Sequence, residues 1–324
     1  MANMEALWIS GKLNPGKKVV ASDQAHYTHS RISDVLGLDF QSIPCDDKAR
    51  MDVSALRKVL DGGDVGTVVA TIGTTGTGSV DPLLEILELK KEYGFRLHAD
   101  AAYGGYFGLT DNLDTHARNV YDHLVEVDSI VVDPHKHGLQ PYGCGCVLYC
   151  DPGVGKYYKH ESPYTYFTSS ELHLGEISLE CSRAGASAVA LWATQKLLPM
   201  EKGGEFAVDL AKGREAALVL YEKIESDECF RTIFPPELDI VVWAPDGSSA
   251  SQISERSEQV FNAAAGENLH LATFKYPTSL LQEKWADVDL DQQYVTCLRS
   301  CLMKPEHLDW VERIWELLSK VSKI

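Results

Sequence analysis

Over the first two-thirds of the chain, short runs of β-branched and aliphatic residues alternate with segments whose apolar positions recur every three to four residues. Residues 17–22 read as a strand, and residues 28–36 as a helix closed by Gly37. Asp52 is placed to cap a helix that runs to Leu60 and stops at Gly62-Gly63. Residues 65–72 form a buried strand, residues 83–93 an amphipathic helix with Gly94 just past its end, and residues 95–100 the next strand. Two more strands are expected at 129–133 and 144–150. Such alternation predicts a mostly parallel sheet joined by right-handed crossovers. From about residue 205 the pattern changes: a long helix to 224, strand-like stretches at 230–234 and 240–243, a helix at 254–265 and a closing helix at 305–321. The chain therefore divides into a large α/β domain over residues 1–220 and a small α+β domain over 221–324. Its 324 residues are enough for both.

In an open α/β sheet, ligands sit beyond the carboxyl ends of the strands, and here those ends carry polar residues. Lys136 follows one strand in Asp133-Pro134-His135-Lys136-His137, where Pro134 turns the chain sharply away. A lysine becomes a Schiff-base former when it is desolvated or set among positive groups; otherwise it is a solvated loop residue. Asp100 ends another strand and is followed by small residues. It reads either as a helix cap or as a buried carboxylate that needs a positive partner, such as a protonated pyridine nitrogen. His26, in Ser22-Asp23-Gln24-Ala25-His26, can stack on a flat ring or be a satisfied structural histidine. Gly73 to Ser79 has the composition of an anion nest but fits neither the P-loop nor the dinucleotide fingerprint.

Composition narrows the classes. A net charge of −17 argues against binding a phosphate backbone. No apolar run approaches the length of a membrane span, and the first residues do not have the pattern of a signal peptide. Eight scattered cysteines fit a reducing, cytoplasmic setting rather than a disulfide framework. Cys144, Cys146 and Cys150 fall at even spacing on one strand, not in zinc-site pairs, and read as buried strand cysteines. His135 and His137 read likewise as structural, and no metal is expected.

The order of these motifs resembles the group II pyridoxal-5′-phosphate (PLP)-dependent amino-acid decarboxylases, which include the aromatic-amino-acid, tyrosine and glutamate decarboxylases. The motifs are Ser22 to His26, Gly73-Thr74-Thr75 with Asp81, His98 to Tyr103, Asp133 to Lys136, and Ser182-Arg183-Ala184-Gly185-Ala186 with Ala190-Leu191-Trp192. The resemblance covers most of residues 1–200 and only loosely the remainder. It implies the fold-type I, aspartate aminotransferase-like architecture. It also implies that PLP is held covalently by Lys136, with Asp100 on the pyridine nitrogen, His26 and Ala102 on the two ring faces, Thr75 hydrogen-bonded to the cofactor, and Asp133 and His135 beside it. A loop tyrosine, Tyr166 in preference to Tyr164, would return a proton to the substrate. The implied reaction is decarboxylation of tyrosine or another aromatic amino acid in a homodimer with a shared site; a glutamate or aspartate decarboxylase is the alternative. A carbon–carbon lyase of the sphingosine-phosphate type usually has Thr where Pro134 stands. The family places a glycine-rich, phosphate-binding turn before the helix that starts here at Ala2-Asn3, and the sequence shows no such turn and no segment preceding it. Weakened PLP binding is expected from this, and a shortened, non-catalytic chain or partner subunit is a further alternative.

Overall fold

A computed structural model of the chain describes residues 1–159, 179 and 185–322. Its first sheet contains β1 (Lys18–Ser22), β2 (Phe40–Ile43), β3 (Val65–Thr71), β4 (Arg96–Asp100), β5 (Ser129–Val132) and β6 (Cys146–Tyr149). They lie in the order β2-β1-β3-β4-β5-β6, with the first five parallel and β6 antiparallel at the edge. β3 sits near the centre, and all seven of its residues are buried. That is why residues 65–71 are all small or β-branched and carry no charge.

Successive residues of these strands face opposite ways. Val20 and Val68 join Ile43, Leu56 and Ile86 in the larger core, with α3 (Val53–Leu60), α4 (Leu83–Tyr93) and α5 (Thr115–Asp122). Val19, Ala21 and Val69 point the other way, with Leu7 of α1 (Ala2–Leu13) and Ile32 of α2 (Thr28–Val35). The helix ends follow their signals: the Asp52 carboxylate accepts from the Ser54 and Ala55 amides, and Gly94 closes α4 at φ 71°.

Further along come α6 (Ala186–Leu197), α7 (Glu205–Glu225), β7 (Phe230–Thr232), β8 (Ile240–Pro245), α8 (Ala250–Gly266), β9 (Ala272–Pro277), β10 (Tyr294–Cys301) and α9 (Glu306–Val321). The second sheet is antiparallel in the order β7-β8-β10-β9. One face packs Val241, Trp243 and Leu298 against α7, α8 and α9. The other holds Val242, Tyr276, Trp285 and Val295, and takes in Ala49 from the amino-terminal part. α8 begins four residues earlier than its apolar period suggests, because the Ser249 hydroxyl accepts from the Gln252 amide and caps it.

Taking the second sheet and its helices as a second unit, the polar links that join it to the first include the following. Glu237 accepts from the Arg50 guanidinium and, at 2.6 Å, from the Val80 amide. Arg299 donates to the Thr75 carbonyl. Asp239 binds Tyr103 and His137.

Asp81, fully buried, ties the end of β3 to the segment before α3. Its Oδ2 accepts from the Thr71 amide and its Oδ1 from the Met51 amide, each at 2.7 Å. Asp81→Asn keeps the shape but turns one acceptor into a donor facing an N–H. A loss of about 2 kcal/mol or more is expected, seen as a lower urea midpoint at unchanged slope. An unchanged midpoint would show that the two bonds do not hold this junction.

Candidate active site

The carboxyl ends of β1, β3, β4 and β5 meet around one cavity of about 180 Å³. It is lined by His26 after β1, Thr71, Gly73 and Thr75 at and after β3, Asp100 and Ala102 at β4, and Asp133 and Lys136 after β5. Asn3 of α1, Thr28 of α2 and Tyr103 complete the wall. The expected cofactor residues are thus brought together, except that His135 stands one layer back. Its Nε2 is 3.5 Å from Asp133 Oδ2, and its Nδ1 donates to the Cys144 carbonyl at 3.1 Å.

Asp100 is buried at the tip of β4. Its Oδ2 accepts from His29 Nε2 at 2.7 Å and from Asn3 Nδ2 at 3.2 Å, and its Oδ1 accepts from the Ala102 amide at 3.1 Å. Burial opposes ionisation, but the His29 hydrogen bond and the neighbouring His29 and His98 rings outweigh it, holding the carboxyl well below its usual range. A carboxylate has about four acceptor positions, so the described residues leave one free on a residue that lines the cavity. The Asn3 amide is oriented by the same network. Its Oδ1 accepts from His98 Nε2 at 2.9 Å, which leaves His98 Nδ1 to accept from the Ser129 hydroxyl at 2.9 Å. Burial pushes His98 down to about 3, so this ring is neutral at pH 7.

Lys136 sits in a tight turn: its amide donates to the Asp133 carbonyl at 2.9 Å, and the Gln140 amide to the Pro134 carbonyl at 3.1 Å. A Cβ on Gly138 would lie 2.5 Å from the Tyr106 hydroxyl and 2.7 Å from Pro134 Cα, so only glycine fits. Leu139 then adopts φ 61°, a left-handed conformation unfavourable for a branched side chain. The Lys136 ammonium is 3.2 Å from Asp133 Oδ2, and the side chain is partly open to the cavity. His26 is half-buried, takes a hydrogen bond from the Thr28 amide, and stacks on Tyr27 at 4.5 Å. Desolvation lowers its pKa, with Asp100 opposing and Lys136 assisting.

The Gly73–Ser79 loop is not an open anion nest. The Thr74, Thr77 and Ser79 hydroxyls form a chain of 2.7 Å contacts that ends on the Lys48 carbonyl, also at 2.7 Å. Thr75 alone of these hydroxyl residues lines the cavity. Two residues passed over in the sequence, Asn3 and His29, make direct contact with Asp100; their helical positions give no sign of it. Thr71 was passed over too: its buried Oγ1 has no partner among the described residues, and the residue lines the cavity. The cysteine reading needs correction. Cys144 is buried but precedes β6, Cys146 is half-buried and Cys150 exposed, because β6 is an edge strand with partly open faces. Among the described residues no cluster could hold a metal ion, and no helix is long and apolar enough to cross a membrane. Tyr164, Tyr166 and Ser182-Arg183-Ala184 lie outside the described residues.

A parallel sheet with one antiparallel edge strand, a lysine turn beyond β5 and a smaller antiparallel sheet define the fold-type I class of PLP-dependent proteins. The crystal structure of Oryza sativa TDC with PLP and tryptamine superposes with a TM-score of 0.82 at 19% identity, over 99% of this chain and 68% of that one. The chain belongs to the family of the pyridoxal-dependent decarboxylase conserved domain, which it matches over residues 2–244. It is 30% identical over 257 residues to the L-2,4-diaminobutyrate decarboxylase of Acinetobacter baumannii, covering 75% of this chain and 49% of that protein. It is 29% identical over 266 residues to a probable L-tyrosine/L-aspartate decarboxylase of Methanothermobacter thermautotrophicus, covering 80% and 69%. The chain thus spans about half the length of the first relative.

His98 carries a pH signature. Its pKa falls from an ordinary 6.5 to about 3 on folding. The unfolded chain therefore binds the proton first, and the stabilisation present above pH 6.5 is lost as the pH falls toward 3. Wild-type urea midpoints should decline over that window, and His98→Gln should flatten the decline. An identical pH slope in the variant would refute this.

Proposed function

We propose that this chain binds PLP and serves a PLP-dependent decarboxylation of an L-amino acid, tyrosine or another aromatic amino acid, releasing the amine and carbon dioxide. One observation carries the reading. Asp100 is a buried carboxylate kept ionised, with one acceptor position to spare, in the same cavity as the Lys136 amine. A protonated pyridine nitrogen is the cation such a site lacks, and a lysine amine is what the cofactor's aldehyde needs.

PLP, when bound, supplies an electron sink for the pair left behind by carbon dioxide. In this reading Asp100 keeps a proton on the ring nitrogen, and Asn3 and His29 hold Asp100 in place. Lys136, which lines the cavity, would hold the cofactor through its amine. Asp133, whose Oδ2 lies 3.2 Å from the Lys136 Nζ, is placed to orient that side chain toward the cavity. His26 and Ala102 would flank the ring, Thr75 would hydrogen-bond the cofactor, and His135 would steady Asp133. Tyr166 is proposed to return the proton to the substrate carbon. A substrate with an acidic or amino side chain is the second reading, favoured by the relatives named for aspartate and 2,4-diaminobutyrate.

A homodimer is proposed as well. α6 is rich in apolar residues yet buries none of them, and Val189, Trp192 and Leu197 stand exposed on it. A cytoplasmic setting is part of the same proposal.

Added PLP should give a visible absorbance band that Lys136→Ala lacks. Carbon dioxide release should follow from at least one of tyrosine, tryptophan, DOPA, glutamate, aspartate and 2,4-diaminobutyrate. The band without any product would leave a binding or partner subunit, and no band would remove the cofactor assignment.

A further inference from the structure

Asp239 is buried in the segment leading into β8, outside the cavity lining, and yet both its oxygens are turned toward residues of the first unit. Oδ1 accepts from the Tyr103 hydroxyl at 2.7 Å, and Oδ2 lies 2.9 Å from His137 Nε2. The other ring nitrogen, Nδ1, is 3.0 Å from the Tyr103 carbonyl. A carbonyl only accepts, so Nδ1 carries a hydrogen. Nε2 then faces a carboxylate oxygen, and two lone pairs cannot share that gap, so a second proton lies between them. His137 and Asp239 thus share one proton in a buried, directional hydrogen bond. The ring is further fixed edge-on by Tyr103 at 4.6 Å and Phe107 at 5.0 Å.

His137 directly follows Lys136, and Tyr103 lines the same cavity as Lys136. One carboxylate of the second unit thus grips the chain on the far side of the lysine and a wall of its cavity. A lysine stem has four rotatable carbons, so the reach of its amine depends on how firmly the backbone beneath it is held. We infer that Asp239 is a positioning residue for Lys136, acting through His137 and Tyr103. The inference rests on reading Lys136 as the lysine that holds PLP.

The test uses the full chain and the rate at which Lys136 is labelled. The Lys136 amine and the PLP aldehyde lose water to form a C=N bond. Borohydride adds hydride to its carbon, a solvent proton goes to nitrogen, and the stable secondary amine is located by peptide mass. Asp239→Asn turns one of the two buried acceptor oxygens into a donor at nearly constant shape and should slow labelling of Lys136 about tenfold or more, the loss expected when a buried hydrogen bond is left unmade. Tyr103→Phe removes one arm of the contact and should slow it less. Glu237→Gln weakens the Arg50 link at the same joint without touching His137; it should lower the melting temperature but leave the labelling rate unchanged.

Equal slowing by Glu237→Gln would reduce Asp239 to a structural tie between the units and overturn the inference. So would unchanged labelling in a folded Asp239→Asn, or in Tyr103→Phe should the first variant fail to fold. Wild-type chain that labels nowhere at Lys136 would instead remove the cofactor reading itself, and the inference with it.

Discussion

Asp100 is an anion with almost no exposed surface at the end of a parallel strand, and its neighbours have to make that tolerable. An isolated buried carboxylate would take up a proton. Here α1 supplies Asn3, α2 supplies His29, and the turn after β4 supplies the Ala102 amide. Each donor has an additional constraint, since Asn3 must also accept from His98 and His29 must lie on the buried side of α2. The placement of two helices and a turn is therefore tied to one carboxylate. This is the sense in which the first hundred residues are arranged around a charge as well as around an aliphatic core.

The second unit does more than flank this arrangement. Glu237 and Asp239 are two residues apart and straddle buried Leu238, which packs in the large core. Both carboxylates bind the first unit, while the next residue, Ile240, already belongs to the second core. The joint between the units is thus built from alternating charged and apolar positions, with directional bonds fixing the angle and Leu238 excluding water.

Much of this was legible in the sequence for identifiable reasons. Parallel strands covered on both faces must bury most of their side chains, so the uncharged, β-branched stretch 65–71 stands out, and polar residues such as Asp100 at the strand ends mark the site edge. Asp52, Gly37 and Gly94 act locally, and local signals survive into the fold. What stayed hidden depends on distant partners. His29 resembles any polar residue of a short helix until Asp100, 71 positions later, is placed beside it. Gly73 to Ser79 looked receptive to an anion because composition does not reveal that its hydroxyls bind one another. β9 and β10 went unseen because polar residues such as Lys275, Arg299 and Ser300 break up their apolar pattern, and Arg299 and Ser300 meet Thr75 and Trp243 only after folding.

The His137–Asp239 contact spans 102 residues of chain. During synthesis the turn that bears Lys136 emerges long before the carboxylate that completes it. Local hydrogen bonds can form that turn early, but its final clasp waits for β8 to be made and docked, as any contact of long sequence separation must. The lysine's environment is therefore finished by a carboxylate made 102 residues after His137, and a nascent chain that stops short of the second sheet carries the reactive residue without its completed setting.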